Sequence, residues 1–252
     1  MKNAELYEVW KAEEKAVFQG WDFSRVDKYI EREPLPWDYK DIVLKYLKTD
    51  MRLLDMGTGG GEFLRTLNHP YENTFVTECY EPNYNLCLEK LTPLGITVRT
   101  HGEGSLLPYE DSSFDIVINR HESYLAEDIS RVLKPKGLLI TQQVGGEDNN
   151  ALSGKLTKGF AGVYPDFDLT HEEIKFQQAG FDIFYKNEKH IKMHYSDMRA
   201  VVFTAKAIEW EFPEFSVDKC FDKLLDLQKE LEEKGFIESA EHRFIICAKK
   251  GD

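Results

Sequence analysis

The sequence predicts a doubly wound α/β fold, and three observations support that prediction. Short apolar or β-rich runs alternate with helical patterns between residues 51 and 143, an alternation typical of βαβ units around a mostly parallel sheet. The chain has 252 residues, 42% of them hydrophobic, which is enough for one substantial core. A glycine-rich segment follows the first strand of this repeat, at the sheet edge where open α/β folds bind ligands.

The segment before the sheet predicts a helical extension over residues 1–33. Apolar residues recur at helical spacing over residues 6–18, and residues 20–22 break the pattern. Residues 34–39 contain two prolines and predict a stiff connector. Helical spacing then resumes over residues 39–47, directly before the sheet begins.

Five strands separated by helical patterns predict the body of the sheet. The predicted strands are residues 51–56, 74–79, 96–101, 114–119 and 137–143. The predicted helices between them are residues 61–67, 83–94 and 127–133. This order predicts a Rossmann-like arrangement with helices on both faces of the sheet.

Two insertions are predicted within a single domain that spans residues 34–252. The first, at about 145–165, is rich in Gly, Asn, Ser and Lys and predicts a loop over the carboxyl ends of the strands. The second, at about 197–236, is aromatic and includes an amphipathic helix over residues 217–234 that Gly235 ends.

The remaining elements complete the predicted sheet. Residues 169–179 predict a helix with Thr170 as its N-cap. Residues 181–194 predict a strand, and residues 242–248 predict a last strand. With that last strand antiparallel to the others, the sheet is expected to have seven strands.

Charge and composition restrict the classes of partner. The formal net charge is -13 and the isoelectric point about 5.1, which disfavours nucleic-acid substrates because a polyanion would be repelled. The N-terminus has no apolar core of a signal peptide, and no stretch reaches the roughly 18 apolar residues that span a bilayer. A cytoplasmic protein without membrane contact is therefore expected, and its oligomeric state is left open.

Cysteine spacing argues against a disulfide framework and a zinc ribbon. The four cysteines are Cys79, Cys87, Cys220 and Cys247. Because none of them forms a C-x-x-C pair, they are expected to be free and mostly buried thiols. No metal site is predicted.

The glycine-rich segment, residues 53–61 (LLDMGTGGG), places an acid at a strand end before alternating glycines. A dinucleotide fingerprint would require a third glycine where Glu62 stands, so the dinucleotide interpretation fails. The glycines allow a ligand to approach the backbone closely. The carboxylate of Asp55 suits S-adenosylmethionine (SAM), which carries ammonium and sulfonium charges and no pyrophosphate. The alternative is a glycine-rich turn that serves packing alone.

Three further features lie where a SAM site needs them. Glu78 ends the second strand of the repeat, where an acid accepts hydrogen bonds from ribose hydroxyls, and Glu81 is a weaker alternative. Glu103, within residues 102–105 after the third strand, offers an acceptor near the adenine amino group. Residues 114–120 form the fourth strand of the repeat and end beside the expected methyl group.

With these motifs, residues 37–144 resemble the class I SAM-dependent methyltransferases, in the broad group that includes the ubiquinone-biosynthesis and type 11 enzymes. The resemblance implies methyl transfer from SAM, with S-adenosylhomocysteine as product. The cofactor contacts expected on these motifs are Asp55, Gly57, Thr58, Gly59, Gly61, Glu78, Cys79, Glu103, Gly104, Ser105 and Asn119. Residues 34–39 and 241–244 are similar to segments of a bacterial subgroup.

Two aromatic residues are candidates for capping the cofactor. Trp37 and Tyr39 stand at the start of the helix predicted before the sheet, and an aromatic face attracts a sulfonium as it attracts other cations. The alternative is that both residues anchor this helix in the core.

Candidate catalytic residues follow the fourth strand of the repeat. His121 and Glu122 stand where the family has a less polar pattern, and either side chain is suited to general base catalysis if the acceptor must lose a proton. The alternative is that His121 orders the loop by bonding to backbone. His194 and Tyr195, at the end of a later strand, are second candidates.

The acidic charge and the two insertions favour a small-molecule acceptor. An alternative is an rRNA or tRNA methyltransferase with a basic surface. The residues that would form that surface are Lys155, Lys158, Lys186, Lys189, Lys192 and Arg199. A third hypothesis is a regulatory protein that binds SAM without turnover.

Overall fold

The computed structural model describes residues 2–18, 23–102, 104–157, 160 and 162–252. The helices in this part of the chain are α1 (Asn3–Glu14), α2 (Ser24–Asp27), α3 (Tyr39–Tyr46), α4 (Glu62–Arg65), α5 (Glu81–Lys90), α6 (Ala126–Val132), α7 (Asn150–Leu156), α8 (Leu169–Gln178), α9 (Met198–Ala207) and α10 (Val217–Lys234). The strands are β1 (Ile30–Arg32), β2 (Leu53–Met56), β3 (Thr74–Thr77), β4 (Thr97–Arg99), β5 (Phe114–Arg120), β6 (Leu133–Val144), β7 (Phe181–Tyr195) and β8 (Ile237–Lys250).

The strands form one sheet in the order β1-β7-β8-β6-β5-β2-β3-β4. Strands β2 to β6 are parallel, with β2 hydrogen-bonded to β3 on one side and to β5 on the other. The chain therefore winds outward from β2 to β4 and then restarts at β5 on the opposite side. Such a reversal opens a crevice at the carboxyl ends of the two central strands. The glycine-rich segment follows β2 at this position.

Antiparallel pairing occurs at the other side of the sheet. Strand β1 pairs with β7 in antiparallel register. Strand β8 runs against β6, because Lys136 N donates to Gly251 O at one end and Gly145 N donates to His242 O at the other. The doubly wound, mostly parallel fold class and the antiparallel last strand are thus confirmed. The sheet has eight strands rather than seven, since residues 30–32 of the predicted helical extension form an edge strand.

The chain divides into two compact units. The sheet unit comprises Pro36–Val144, Phe167–Glu188 and Phe244–Asp252, and the accessory unit comprises Met1–Leu35, Gly145–Asp166 and Lys189–Arg243. Each unit has its own hydrophobic core. Buried side chains of the sheet unit include Leu54, Val117, Ile129, Leu139 and Phe176. Those of the accessory unit include Trp10, Val201, Phe203, Phe212 and Leu224.

Several local predictions needed correction. The segment predicted as a loop at about 145–165 contains α7, because Leu152 and Leu156 lie one helical turn apart and are both buried. The N-cap of α8 is Asp168 rather than Thr170, since the Asp168 carboxylate accepts from His171 N at 2.9 Å. Gly235 ends α10 in a left-handed conformation, as predicted.

Two expectations from composition can be compared with the structure. All four cysteines are present as thiols, and three of them are buried, as predicted. Among the described residues, no helix has the length and apolar character needed to cross a membrane.

Candidate active site

The loop after β2 is folded by its glycines. Gly57, Gly59 and Gly61 have φ angles of 64°, 62° and 78°, a region that strains residues with a Cβ atom. Gly57 N and Thr58 N both donate to Thr77 O, at 3.0 and 3.1 Å, which ties the loop to the end of β3. Helix α4 begins directly after Gly61. The loop therefore presents its backbone at the carboxyl end of β2.

Asp55 is a buried acid at the base of this loop. Its side chain accepts a hydrogen bond from the Thr58 hydroxyl at 2.7 Å, and the residue is 4% exposed. Burial raises the pKa of Asp55 to about 7, although the Thr58 hydroxyl and the charge of Arg120 oppose the rise. Among the described residues, its side chain interacts with the Thr58 hydroxyl and with the longer-range charges of Arg120 and Glu78, with no ion pair. A cationic ligand would supply the missing positive charge.

Glu78 connects the end of β3 to the glycine loop. One carboxylate oxygen accepts from Gly59 N at 2.8 Å and the other from Tyr80 N at 2.9 Å. A carboxylate has about four acceptor positions, so capacity remains for ligand hydroxyls. Glu81, the alternative ribose acid, is exposed at the start of α5.

A cavity in the sheet unit adjoins the end of β2. It is lined by Met56, His101, Gly104, Ser105, Leu107, Ser123, Tyr124, Leu125 and Asp128. Gly104 and Ser105 were predicted to contact adenine, whereas Glu103 lies outside the described residues. Cys79 is half-buried, and its sulfur lies 3.4 Å from His101 Nε2.

Asn119 is a fully buried side chain at the end of β5. Its Oδ1 accepts from Gln143 Nε2 at 2.7 Å and from Glu122 N at 3.3 Å. Its Nδ2 has no hydrogen-bond partner among the described residues, and neither has Thr77 Oγ1 at the end of β3. Asn119 and Thr77 are both register partners of Met56. Two unsatisfied polar atoms therefore flank the end of β2, where burial without a partner is costly.

Trp37 and Tyr39 are both buried, and their polar atoms bond to the sheet. Trp37 Nε1 donates to Gln142 Oε1 at 2.8 Å. The Tyr39 hydroxyl lies 3.1 Å from Asn119 O and 3.3 Å from Ile140 O. Both side chains thus anchor the start of α3 on β5 and β6, and the Tyr39 ring lies 5.3 Å from that of Phe63.

His121 and Glu122 form a bend next to the glycine loop. His121 has a φ of 66°, its backbone N donates to Gln142 O at 2.9 Å, and its Nε2 lies 3.1 Å from Gln142 Nε2. Glu122 packs on Gly57 so closely that a Cβ on this glycine would lie 2.5 Å from Glu122 Cβ. Strained non-glycine backbone is concentrated at functional sites.

The second pair of candidates, His194 and Tyr195, belongs to the accessory unit. The His194 ring stacks on Phe236 with centroids 4.0 Å apart. Tyr195 is 1% exposed, and its hydroxyl lies 3.4 Å from Asn149 Oδ1. Burial raises the pKa of this hydroxyl well above its usual range.

The sequence of the sheet unit matches a known domain family. A family model described as "Methyltransferase domain" matches residues 54–141, which include the glycine loop, Glu78 and the His121–Glu122 bend. Residues 54–141 are a methyltransferase domain. No curated protein sequence matches the chain.

Solved structures with a similar fold include methyltransferases. A candidate methyltransferase from Bacillus halodurans is 15% identical with a TM-score of 0.57, and the match covers 85% of this chain and 99% of that one. A candidate sarcosine dimethylglycine methyltransferase from Galdieria sulphuraria is 15% identical with a TM-score of 0.53, covering 99% and 98%. Phosphoethanolamine N-methyltransferase 2 from Haemonchus contortus, in complex with SAM, is 18% identical with a TM-score of 0.51, covering 86% and 53%.

The site fits SAM, the cofactor that the sequence predicts. A Cβ on Gly59 would have no atom within 4 Å, so a ligand can approach the backbone there. Asp55, for which the described residues show no ion pair, would pair with the ammonium or sulfonium of SAM. Asn119 Nδ2 and Thr77 Oγ1 are buried polar atoms that a ligand with carboxylate and hydroxyl groups would satisfy.

Further polar residues surround this crevice, and the sequence did not point to them. His101 and Asp128 line the cavity, and Asp128 accepts from Leu107 N at 2.5 Å and from Arg131 Nε at 2.7 Å. Gln142 bonds to His121 in the bend after β5, and Gln143 bonds to Asn119 near the end of β5. Gln142 and Gln143 are adjacent glutamines in β6 and are both buried. Since buried amides need hydrogen-bond partners, this pair was the signal in the sequence for a polar site beside β6.

Proposed function

We propose that this methyltransferase transfers a methyl group from SAM to a small-molecule acceptor that lies against the His121–Glu122 bend. The observation that carries the proposal is the packing of Glu122 on Gly57, which joins a polar bend to the glycine loop. SAM supplies a methyl group that its sulfonium already activates. The protein then has to align the acceptor with that methyl group and exclude water.

The proposed cofactor contacts are the predicted ones that the structure describes. They are Asp55, Gly57, Thr58, Gly59, Gly61, Glu78, Cys79, Gly104, Ser105 and Asn119. For Trp37 and Tyr39 we propose an indirect role, because their polar atoms are committed to Gln142, Asn119 and Ile140. They hold the walls of the crevice in place.

A hydrogen-bond chain assigns the protonation of His121. The indole Nε1 of Trp37 can only donate, so the Gln142 oxygen faces Trp37 and the Gln142 amide NH2 faces His121. His121 Nε2 therefore accepts a hydrogen bond, and the proton of the neutral ring is on Nδ1. A proton on Nε2 would point at the amide hydrogens of Gln142, so that two donors would face each other with no acceptor between them. We propose that His121 orients the acceptor as a neutral donor and that Glu122 is the group that takes up a proton.

Histidine NMR tests this assignment. In the 15N-labelled protein at pH 8, the His121 signals are expected to show the Nδ1–H tautomer. Trp37→Phe removes the donor that orients Gln142 and is expected to produce a mixture of tautomers. The matched control is Tyr46→Phe, which changes an aromatic residue of the same unit outside this chain of bonds. A His121 ring protonated on Nε2 in the wild type would contradict the assignment.

Two observations weigh against an RNA acceptor. The net charge is -13. Three of the basic residues suggested for an RNA surface are paired with acids: Lys155 with Glu230 at 2.9 Å, Lys186 with Glu173, and Arg199 with Asp197 at 2.5 Å. Lys158 lies outside the described residues. Paired lysines and arginines release fewer counterions and so contribute less to phosphate binding.

The decisive experiment follows the methyl group. SAM with a labelled methyl group is incubated with the protein and either total RNA or a protein-free small-molecule extract, after SAM and S-adenosylhomocysteine affinities have been measured. Label in the small-molecule fraction is expected, with His121→Leu and Glu122→Gln reducing it at least tenfold. Absence of cofactor binding would refute the proposal. Label in RNA would overturn the acceptor class, and tight cofactor binding without transfer to either fraction would favour the regulatory hypothesis.

A further inference from the structure

Three metal-binding side chains meet in the accessory unit. Glu147 follows β6, His190 lies in β7 and His242 lies in β8. His190 Nε2 is 2.8 Å from Glu147 Oε2, and Glu147 N donates to His242 Nδ1 at 3.2 Å. One ligand atom from each residue lies within 4.8 Å of those of the other two. We propose that these three residues bind a divalent transition-metal ion.

His242 is the fixed member of this group. Its side chain belongs to a residue that is 2% exposed, and its backbone N donates to Asp148 Oδ1 at 2.6 Å. A Cβ on Gly145 would lie 2.2 Å from His242 Nδ1, so the imidazole has its place only because residue 145 has no side chain. Positioning a ligand before the metal arrives lowers the ordering cost of binding.

His190 and Glu147 are the adjustable members. Their side chains are 49% and 61% exposed, so both can move by the small distance that metal coordination requires. The His190 and His242 rings are stacked with centroids 4.3 Å apart and planes 22° apart. Zinc bonds to imidazole nitrogen and to carboxylate oxygen are about 2.0–2.2 Å long, so the three ligand atoms must draw closer around the ion.

The ligand chemistry selects the class of metal. Two imidazoles and one carboxylate suit Zn²⁺ and neighbouring transition ions rather than Ca²⁺ or Mg²⁺, which prefer oxygen ligands. Three protein ligands leave a coordination position for water or another molecule. Asp148, next to Glu147, forms an ion pair with Arg243. That carboxylate is therefore committed and is not needed as a fourth ligand.

Sequence spacing could not reveal this group. Glu147 is 43 residues from His190 and 95 residues from His242, whereas recognisable zinc motifs place their ligands a few residues apart. The group forms only because the segment after β6 and the strands β7 and β8 come together in the accessory unit. The inference is independent of the acceptor proposed above.

Metal titration of the full chain tests the inference. The protein, freed of any histidine tag and treated with a chelator, is titrated with Zn²⁺ by calorimetry and with Co²⁺ by visible absorption. One ion per chain is expected in the wild type. His190→Ala and Glu147→Gln are expected to weaken Zn²⁺ binding at least tenfold and to abolish the Co²⁺ bands of the site. Both positions are about half exposed, so these variants are expected to fold.

His171→Ala is the matched control. His171 pairs with Asp168 at 2.9 Å on the exposed start of α8, so it forms a histidine–carboxylate pair outside the proposed group. Its removal is expected to leave Zn²⁺ affinity unchanged. Equal affinity in the wild type and His190→Ala would overturn the proposal, as would an equal loss in His171→Ala. SAM affinity is measured on the same variants and is expected to be unchanged. A loss of Zn²⁺ binding with normal SAM binding concerns the metal site alone, whereas a loss of SAM binding concerns the proposed methyl transfer.

Discussion

Asp55→Asn is expected to weaken SAM binding by about 10- to 100-fold while stabilising the cofactor-free protein at pH 8. The loss of affinity corresponds to a hydrogen bond with a charged group, worth about 1.5–3 kcal/mol. The gain in stability arises because burial disfavours the charged carboxylate more than Thr58 and Arg120 favour it, so that its pKa is raised to about 7. Asparagine keeps the shape and the acceptor for Thr58 without the charge.

The direction of the pH effect follows from the raised pKa. Below the ordinary pKa of aspartate the carboxyl is protonated in both the folded and unfolded states. Between the ordinary pKa of 3.8 and the folded pKa of about 7, the unfolded chain has lost this proton while the folded state keeps it. Stability therefore falls across this window, and the loss is complete as pH rises through the folded pKa, on the order of a few kcal/mol in total. Cofactor binding favours the charged form, so SAM affinity is expected to rise between pH 6 and pH 8 with release of a proton.

Calorimetry in buffers of different ionisation enthalpy measures that proton, and denaturant unfolding measures stability. Asp115→Asn is the matched control, because Lys134 Nζ lies 2.8 Å from the Asp115 carboxylate and the pKa of Asp115 is lowered. Asp115→Asn is expected to reduce stability at pH 8 and to leave SAM binding and its pH dependence unchanged. Proton release that persists in Asp55→Asn would show that another group titrates.

The parts of the molecule that sequence predicted best are those fixed by neighbours along the chain. Asp55 lies near the end of β2 and Glu78 directly follows β3. Gly57, Gly59 and Gly61 between them have the positive φ angles that glycine tolerates. The order of the strands is seen only in the structure, whereas the alternation of strands and helices predicts a mostly parallel sheet. Such features depend on period and spacing, which a single sequence displays.

Features that depend on contacts between distant segments were missed or mistaken. Strand β1 forms because Ile30 pairs with Tyr195, more than a hundred residues away, although its own segment has no strand pattern. Helix α7 buries Leu152 and Leu156 in a core built from other segments of the accessory unit. The polar composition of this segment suggested a loop. A helix forms instead because tertiary packing outweighs local propensity in short segments.

Gly57→Ala is expected to destabilise the cofactor-free protein by about 2–5 kcal/mol and to weaken SAM binding at least tenfold. An alanine at a φ of 64° is strained by about 1–2 kcal/mol. Its Cβ would also lie 2.5 Å from Glu122 Cβ and 2.6 Å from Glu122 Oε2, an overlap that adds about 1–3 kcal/mol. Either the loop or the Glu122 side chain must move, and both belong to the proposed site.

Gly95→Ala separates backbone strain from this overlap. Gly95 has a φ of 98°, and a Cβ there would have no atom within 4 Å, so only the strain of about 1–2 kcal/mol is expected. The double variant Gly57→Ala with Glu122→Gly removes the overlapping side chain and is expected to recover the difference between the two alanine variants in unfolding free energy. Methyl transfer should stay low in the double variant, because Glu122 is absent. If the two glycine positions prove equally costly and the double variant recovers nothing, Glu122 does not pack on the loop in solution, and the contact that carries the proposed function is lost.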